Sequence, residues 1–456
     1  MTGDTPMVVL DGAQADLRKG ILKLAWPAIL EMVLHMMVGI VDTAMVGRLG
    51  PQELAATGLG SRILFSVVFV FAAMGTGAAA LVARSVGAKD LAGAKRIAAQ
   101  AMALGFLAGA AIFLVGFSVA GSLFSLLQVE PLVARLGREY LQITMLPAAL
   151  ILPLFIANAI LRGAGNTRAP MLIALITNGI NVVGDYVLIF GKGGFPALGV
   201  AGAAAATAAA QVLGCLLALA VLFWGDPLLR LQPRDFLFWD GKLVGRILRL
   251  SLPAGMEELM FSVAGMVFTF MVTRLGTVPF AAHQVATSVE SLSYMPGHGF
   301  AIAAATTVGH NLGAGRLEEA AEGGRQGAML ALLVMTGIGL VFFTFPRQLA
   351  ALFAPGEVGV IALGATAIRI SALEQPAIAL EMVLAGALRG AGDTRFPLLV
   401  TSLGFWLVRM PLTYLVVFVW QLPLGAVWVV TAIDWFFRSI LLYRYYRRGQ
   451  WLKVRA

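Results

Sequence analysis

The sequence predicts an all-α integral membrane protein with twelve transmembrane helices. These form two six-helix bundles related by a pseudo-two-fold axis along the membrane normal. Three observations predict it. Of 456 residues, 59% are hydrophobic and only 12% are charged, against roughly 25% charged in an ordinary soluble domain. A soluble core has no use for so much apolar surface, whereas lipid does. Second, the stretches 63–83, 97–129, 193–225, 326–346 and 410–433 carry no charge at all. Each holds a helix of about 20 residues, the length that crosses ~30 Å of hydrocarbon. Third, the chain repeats itself. Leu24–Gly50 and Leu250–Gly276 align without gaps at an offset of 226 with 12 of 27 positions identical, among them Pro27/Pro253, Glu31/Glu257, Gly39/Gly265 and Arg48/Arg274. LRGAGNTRAPM (161–171) and LRGAGDTRFPL (388–398) match at 8 of 11 positions, at an offset of 227. Apolar composition yields chance matches among Ala, Leu and Val, but not matched Pro, Glu, Arg and Gly in register twice.

The expected spans are 20–47, 53–82, 95–123, 137–161, 168–190 and 197–224 in the first half. In the second they are 245–274, 278–309, 322–345, 358–387, 395–420 and 424–446. The organisation that follows is a cytoplasmic tail (1–19), an N-terminal lobe (20–224), a cytoplasmic linker (225–246), a C-terminal lobe (247–446) and a basic tail (447–456). The linker mixes charges with Trp, Phe and Leu, which suits the membrane interface. Six helices per copy give both halves the same orientation. With both termini inside, 24 of the 33 Lys and Arg fall on cytoplasmic segments and 8 on the opposite side, with Arg409 mid-helix. That bias places both termini in the cytoplasm. It also accounts for the net charge of +9 without a nucleic-acid partner. The first 19 residues lack the pattern of a cleavable signal peptide. Cys215 is the single cysteine and lies in an apolar run, so it offers no disulfide and no metal framework. The sequence carries no P-loop, HExxH, paired CxxC or GxSxG, which argues against an enzyme.

Ionisable groups inside a bilayer are costly and mark function. Glu31, His35 and Asp42 share one face of the first helix, and Asn181 and Asp185 one face of the fifth. At 1.5 Å per residue Asp42 lies ~33 Å from the inner end of its helix and Asp185 ~25 Å, while Thr207 lies ~15 Å from the outer end. All three can meet in the outer half of the membrane. Two carboxylates there require a shared proton or a bound Na⁺, and Asn181 and Thr207 could supply neutral oxygens to a small hard cation. Asp42 has no acidic mate in the second half, because Phe268 stands at the repeated position. The second half instead gathers Met256, Met260, Phe261 and Phe268 near Glu257, His283 and Glu290. Methionine surfaces adapt to varied apolar ligands and aromatic faces attract cations, so these seven are candidates for a substrate cavity. Pro27 and Pro253 each remove a backbone hydrogen bond early in a helix and are candidate hinges.

Six segments in order carry a family resemblance: VDTAMVGRLG (41–50), ILRGAGNTRAPM (160–171), NGINVVGDYVLIFG (178–191), GVAGAAAAT (199–207), AAHQVATSVESLSYMPGHG (281–299) and ALRGAGDTRFP (387–397). The chain resembles the multidrug and toxic compound extrusion (MATE) family over nearly its whole length. The resemblance implies a multi-pass protein of a prokaryotic inner membrane. It would export organic cations and other amphipathic compounds by alternating access, in exchange for Na⁺ or H⁺ entering. It implies no cofactor beyond that coupling ion, and a monomer working in the lipid bilayer. It places Asp42, Asn181, Asp185 and Thr207 on the family's first-lobe cation site, with Asn158 and Tyr140 at polar positions around it. His35 stands where some members carry a polar residue. The NorM branch has second-lobe carboxylates where this chain has Phe261 and Ile378, so the chain is more similar to the DinF-like branch. A flippase for a lipid-linked oligosaccharide shares this architecture and is the alternative. It would need a larger cationic cavity than Arg409 provides.

Overall fold

A computed structural model describes residues 14–126, 129–225, 229–236 and 239–454. Residues 1–13 of the expected N-terminal tail, 226–228 and 237–238 of the expected linker, and 455–456 of the basic tail lie outside the described residues. The described chain is almost entirely helical. In the first half the helices are α1 (Gln14–Val46), α2 (Pro51–Ala72), α3 (Met74–Gly87), α4 (Leu91–Leu126), α5 (Pro131–Met145), α6 (Ala148–Gly163), α7 (Arg168–Phe190) and α8 (Val200–Ala220). In the second they are α9 (Gly241–Thr273), α10 (Thr277–Gly313), α11 (Leu317–Thr344), α12 (Pro346–Phe353), α13 (Val358–Gly390), α14 (Arg395–Leu403), α15 (Met410–Tyr414) and α16 (Leu424–Arg448). The π-helical turn Gly404–Arg409 joins α14 to α15, and a second one, Leu415–Val419, continues α15, so that the whole makes one span.

Ten helical stretches among the described residues are long and apolar enough to cross a membrane, and α5 with α6, bent by 57°, makes an eleventh. The twelfth expected span is α10, 37 residues long. It falls short on apolarity because its polar side chains turn inward: His283, Glu290, Ser293, Thr306, Thr307 and Asn311 are all buried. A helix whose polar groups are covered by neighbours needs less apolar surface of its own. Large side chains such as Leu107, Leu114, Val183, Leu333 and Leu340 stay exposed, as a surface facing acyl chains requires.

The compact bodies do not follow the two halves of the sequence. One body holds the chain up to Ile29 and from Met256 on, and the other holds Leu30–Gly255. The changeovers fall two residues after Pro27 and Pro253, and α1 and α9 run through both prolines unbroken. Within the first body, Leu17, Ile21, Leu24 and Ala25 of α1 join a core with Phe300, Val308, Leu384 and Trp435. Within the second, Ser251 of α9 donates to the Met74 carbonyl at 3.0 Å. At the far end, Trp451 is fully buried against Tyr446, with ring centroids 4.7 Å apart. The sequence left that stretch as a tail because its basic residues hide the one anchoring aromatic.

The repeat explains the close packing. Gly163 of the first LRGAG motif is so near α3 that a Cβ there would meet the Ala79 carbonyl oxygen at 2.5 Å. Gly390 of the second motif abuts the backbone of Ala305 in α10 in the same way. Only glycine allows helix backbones to approach this closely.

Candidate ion site

The seam between α7 and α8 is made of small residues. A Cβ on Gly202 would meet the Leu188 carbonyl oxygen at 2.5 Å, and one on Gly184 would meet Ala206 at 3.1 Å. This closeness brings polar side chains together across the seam. The Asn181 amide donates to Thr207 Oγ1 at 3.4 Å. One turn further along α7, Asp185 is fully buried, and its carboxyl meets that of Asp42 from α1 at hydrogen-bonding range. Tyr140 of α5 stands beside both acids, and its hydroxyl bonds Thr207 and, at 2.9 Å, Ser61 of α2. Gly60 makes room for the Tyr140 ring, since a Cβ there would meet it at 2.7 Å.

The hydrogen-bond account of this cluster does not close. Asp42 Oδ1, both Asp185 oxygens and Asn181 Oδ1 are buried and find no protein donor. Two ionised carboxylates are acceptors only, so their contact needs a proton or a cation between them. The oxygens of Asp42, Asp185, Asn181, Thr207 and Tyr140 suit a small hard ion. A hollow of about 220 Å³ between α1 and α7 is lined by Ile40, Val41, Ala44, Met45, Arg48, Tyr186 and Phe190.

Other expected residues lie elsewhere. His35 is exposed and faces Glu31 and Arg162 rather than Asp42. Asn158 is buried in α6, one turn beyond Leu154. Leu154 touches the level of Gly214 and Thr177, and Asp185 is two turns from Thr177 in the opposite direction. The helical rise then puts Asn158 about 18 Å from Asp185 along the bundle. Sequence reasoning also missed Ser61, which only the fold places against Tyr140.

The expected substrate-cavity residues divide. Met256 and Phe261 are exposed and Met260 is half-buried, whereas Glu257, Phe268, His283 and Glu290 are buried. Phe268 packs edge-on against His283 and sits under the Arg409 guanidinium at 5.8 Å. Arg409 in turn pairs with Asp434 at 2.8 Å. Where the first half has Asp42, the second therefore has an aromatic face with a built-in cation. Glu31 pairs with Arg162 at 2.7 Å and Glu257 with Arg389 at 2.8 Å, so each half ties its first helix to its LRGAG arginine. Among the described residues no group of three or more His, Cys, Asp and Glu has the arrangement of a metal site.

The MatE family model matches residues 27–187 and 253–415, one match for each repeat. The chain belongs to the MatE family. It is thus a multi-pass membrane transporter and not an enzyme. It is 32% identical over 445 residues to the probable multidrug resistance protein NorM of Thermotoga maritima, covering 96% of this chain and 94% of that one. It is 29% identical over 402 residues to the multidrug resistance protein PmpM of Pseudomonas aeruginosa, covering 87% and 83%. Its fold matches an outward-facing multidrug resistance MATE family transporter of the MOP superfamily with a TM-score of 0.90, at 25% identity over 96% of this chain and 97% of that one. Relatives named NorM lend no support to the expected closeness to the DinF-like branch. This MatE chain lacks carboxylates at Phe261 and Ile378 all the same, and its acidic pair lies in the first half.

Proposed function

We propose that the protein is an antiporter that exports organic cations and other amphipathic drugs in exchange for Na⁺ or H⁺. The contact between Asp42 and Asp185, with three of their oxygens buried and lacking a donor, carries this reading. The names of its relatives, multidrug resistance proteins, support the substrate class. The ion enters from outside to the pair formed by Asp42 and Asp185, with Asn181, Thr207 and Tyr140 around it. Its binding must favour one conformation over another, since equal affinity for both would shift nothing. The helices α1 and α9 bend at Pro27 and Pro253, where the chain passes between the compact bodies, and substrate leaves on the outer side. Both termini face the cytoplasm, in keeping with the distribution of Lys and Arg, and the monomer is the working unit. The flippase alternative finds no free cation in Arg409, which is committed to Asp434.

The test is drug efflux from proteoliposomes under an imposed Na⁺ gradient and, separately, a pH gradient. Wild-type protein should respond to one of them. Asp42→Asn should fold normally and transport nothing. Wild-type rates of ion-driven efflux by that variant would remove the site from the mechanism.

A further inference from the structure

The turn between α3 and α4 and the turn between α10 and α11 are repeat mates with opposite charge. Residues 85–100 align with 311–326 at an offset of 226, with Gly87/Gly313, Leu91/Leu317 and Gln100/Gln326 among the identities. In the second half this turn neutralises itself. Arg316 pairs with Glu319 at 3.0 Å and Arg325 with Glu322 at 2.6 Å. In the first half Ala92, Gly93 and Arg96 stand at the positions of Glu318, Glu319 and Glu322, and Lys95 at that of Ala321.

The chain between α8 and α9 brings more positive charge to the same place. Leu229 and Leu231 are buried, while Arg230 between them is exposed. The Leu231 N–H donates to the Leu222 carbonyl at 2.9 Å. Phe236 stacks on Phe223 with ring centroids 6.0 Å apart, and the 3₁₀ turn Pro233–Phe236, which carries Arg234, packs on α4. The Asp240 N–H donates to Gln100 Oε1 at 3.3 Å. Gln100 is one turn along α4 from Arg96, so the start of α9, with Lys242, Arg246 and Arg249, is tied to the same helix. Arg246 also acts electrostatically on Arg84, near the end of α3.

Residues 84–100 and 229–249 hold nine Lys and Arg against three Asp. The three acids shape turns. Asp90 accepts from the Gly93 N–H and Asp235 from the Gln232 N–H, each at 2.8 Å, and Asp240 accepts from the Lys242 and Leu243 N–H groups at 2.9 and 3.1 Å. None of Lys95, Arg96, Arg230, Arg234, Lys242 and Arg249 forms an ion pair with another described residue. Like charges gathered on one surface repel one another and draw in counter-ions.

Depth identifies the counter-ion. Trp224 and Trp239 are 76% and 56% exposed. They lie at the ends of two candidate spans, Val200–Gly225 and Gly241–Thr273. Exposed tryptophans at span ends sit at the level of lipid headgroups, and basic clusters flanking a span attract anionic lipid. We infer that this surface of the first half docks phospholipids whose headgroups carry a net negative charge. Lys95 and Arg96 of α4, Arg230 and Arg234 of the connecting chain, and Lys242 and Arg249 of α9 hold the phosphates, and the two tryptophans fix the depth. The leaflet is the cytoplasmic one on the topology proposed above, and the binding itself does not depend on that assignment. The repeat mate of the α3–α4 turn offers no such surface, because its arginines are already paired.

The test uses the purified full-length protein in phosphatidylcholine nanodiscs, with spin-labelled phosphatidylglycerol or spin-labelled phosphatidylcholine as the probe. The motionally restricted fraction of each label gives the preference between them. Wild-type protein should prefer phosphatidylglycerol severalfold, and molar salt should remove that preference. Lys95→Gln, Arg96→Gln, Arg230→Gln and Arg234→Gln together should lower it at least threefold. Lys242→Gln with Arg249→Gln is the second variant and should lower it at least twofold. Arg444→Gln, Arg447→Gln, Arg448→Gln and Lys453→Gln together remove four exposed charges from the end of the chain, control for net charge, and should lower it less. Millimolar inorganic phosphate at fixed ionic strength should leave the preference unchanged, and its loss there would mean that the surface takes a free anion instead of a lipid. The inference is overturned if wild-type protein shows no preference, if the preference survives molar salt, or if neither of the first two variants loses more of it than the control.

Discussion

At the scale of single residues, the two Glu–Arg pairs invite comparison because they are copies with different surroundings. Glu31 is almost wholly buried, pairs only through Oε1, and leaves Oε2 without a partner. Glu257 pairs with Arg389 and also accepts from Thr401 at 2.9 Å. Removing one partner of a buried pair strands the other, at a cost of about 3–5 kcal/mol. Arg162→Met should fall in that range. Arg389→Met should cost less, because Thr401 still serves Glu257. Thermal unfolding in detergent reads this directly, and an equal or larger loss for Arg389→Met would show that Thr401 does not compensate. Glu31→Gln combined with Arg162→Met should recover much of the loss. The sequence displayed both glutamates and both arginines as matched positions, but not that they touch, since 131 residues separate Glu31 from Arg162. The same two residue types matched in both copies, at offsets of 226 and 227, were the signal for the contact. His35 illustrates the opposite error. It shares a helical face with Asp42, yet seven residues are about 10 Å of helix, enough to put it with Glu31 and Arg162 instead.

At the scale of helices, the seam between α7 and α8 fixes the geometry of the candidate ion site. Gly202 lets the Leu188 backbone approach, and that approach sets the distance from Asn181 to Thr207. Gly202→Val should force the helices apart, with an overpacking cost of about 1–3 kcal/mol. It should weaken cation binding at least tenfold while leaving both acids in place. Binding at wild-type strength would mean the seam does not position the site. Gly163→Leu should be worse for folding, because the larger Leu side chain likewise meets backbone, the Ala79 carbonyl, which cannot swing aside. Expression as a monodisperse peak on size exclusion is the measurement, and a normal peak would refute the close approach. Eleven of the spans were legible from apolarity alone. The twelfth, expected at 278–309, is less apolar than the others, and why α10 can be so was not legible, because burial of Glu290 and His283 by neighbours is a tertiary fact. The inward break at Gly404–Arg409 had no sequence signal beyond its glycine.

At the scale of the whole chain, the duplication suggested two lobes that divide near residue 225, whereas the compact bodies change over within α1 and α9. The physical reason is visible in the core of the first body. Leu17, Ile21, Leu24 and Ala25 come from the first half of the sequence and are buried among Phe300, Val308, Leu384 and Trp435 of the second. Removing three such large side chains would cost roughly 2–5 kcal/mol each by the usual price of core truncation, comparable in sum to the whole stability of a typical domain. A fragment beginning at residue 229 should therefore fail to accumulate as a monodisperse species. A fragment of residues 1–225 should fare no better, because it lacks the first part of α9 with Ile247 and Ser251, against which Gly77 packs. Expressed together, the two fragments should restore each other. Fluorescence-detected size exclusion of tagged fragments, alone and co-expressed, measures this. If the half from residue 229 is monodisperse and thermally stable on its own, the residues of α1 are dispensable to that core, and the halves are independent folding units after all.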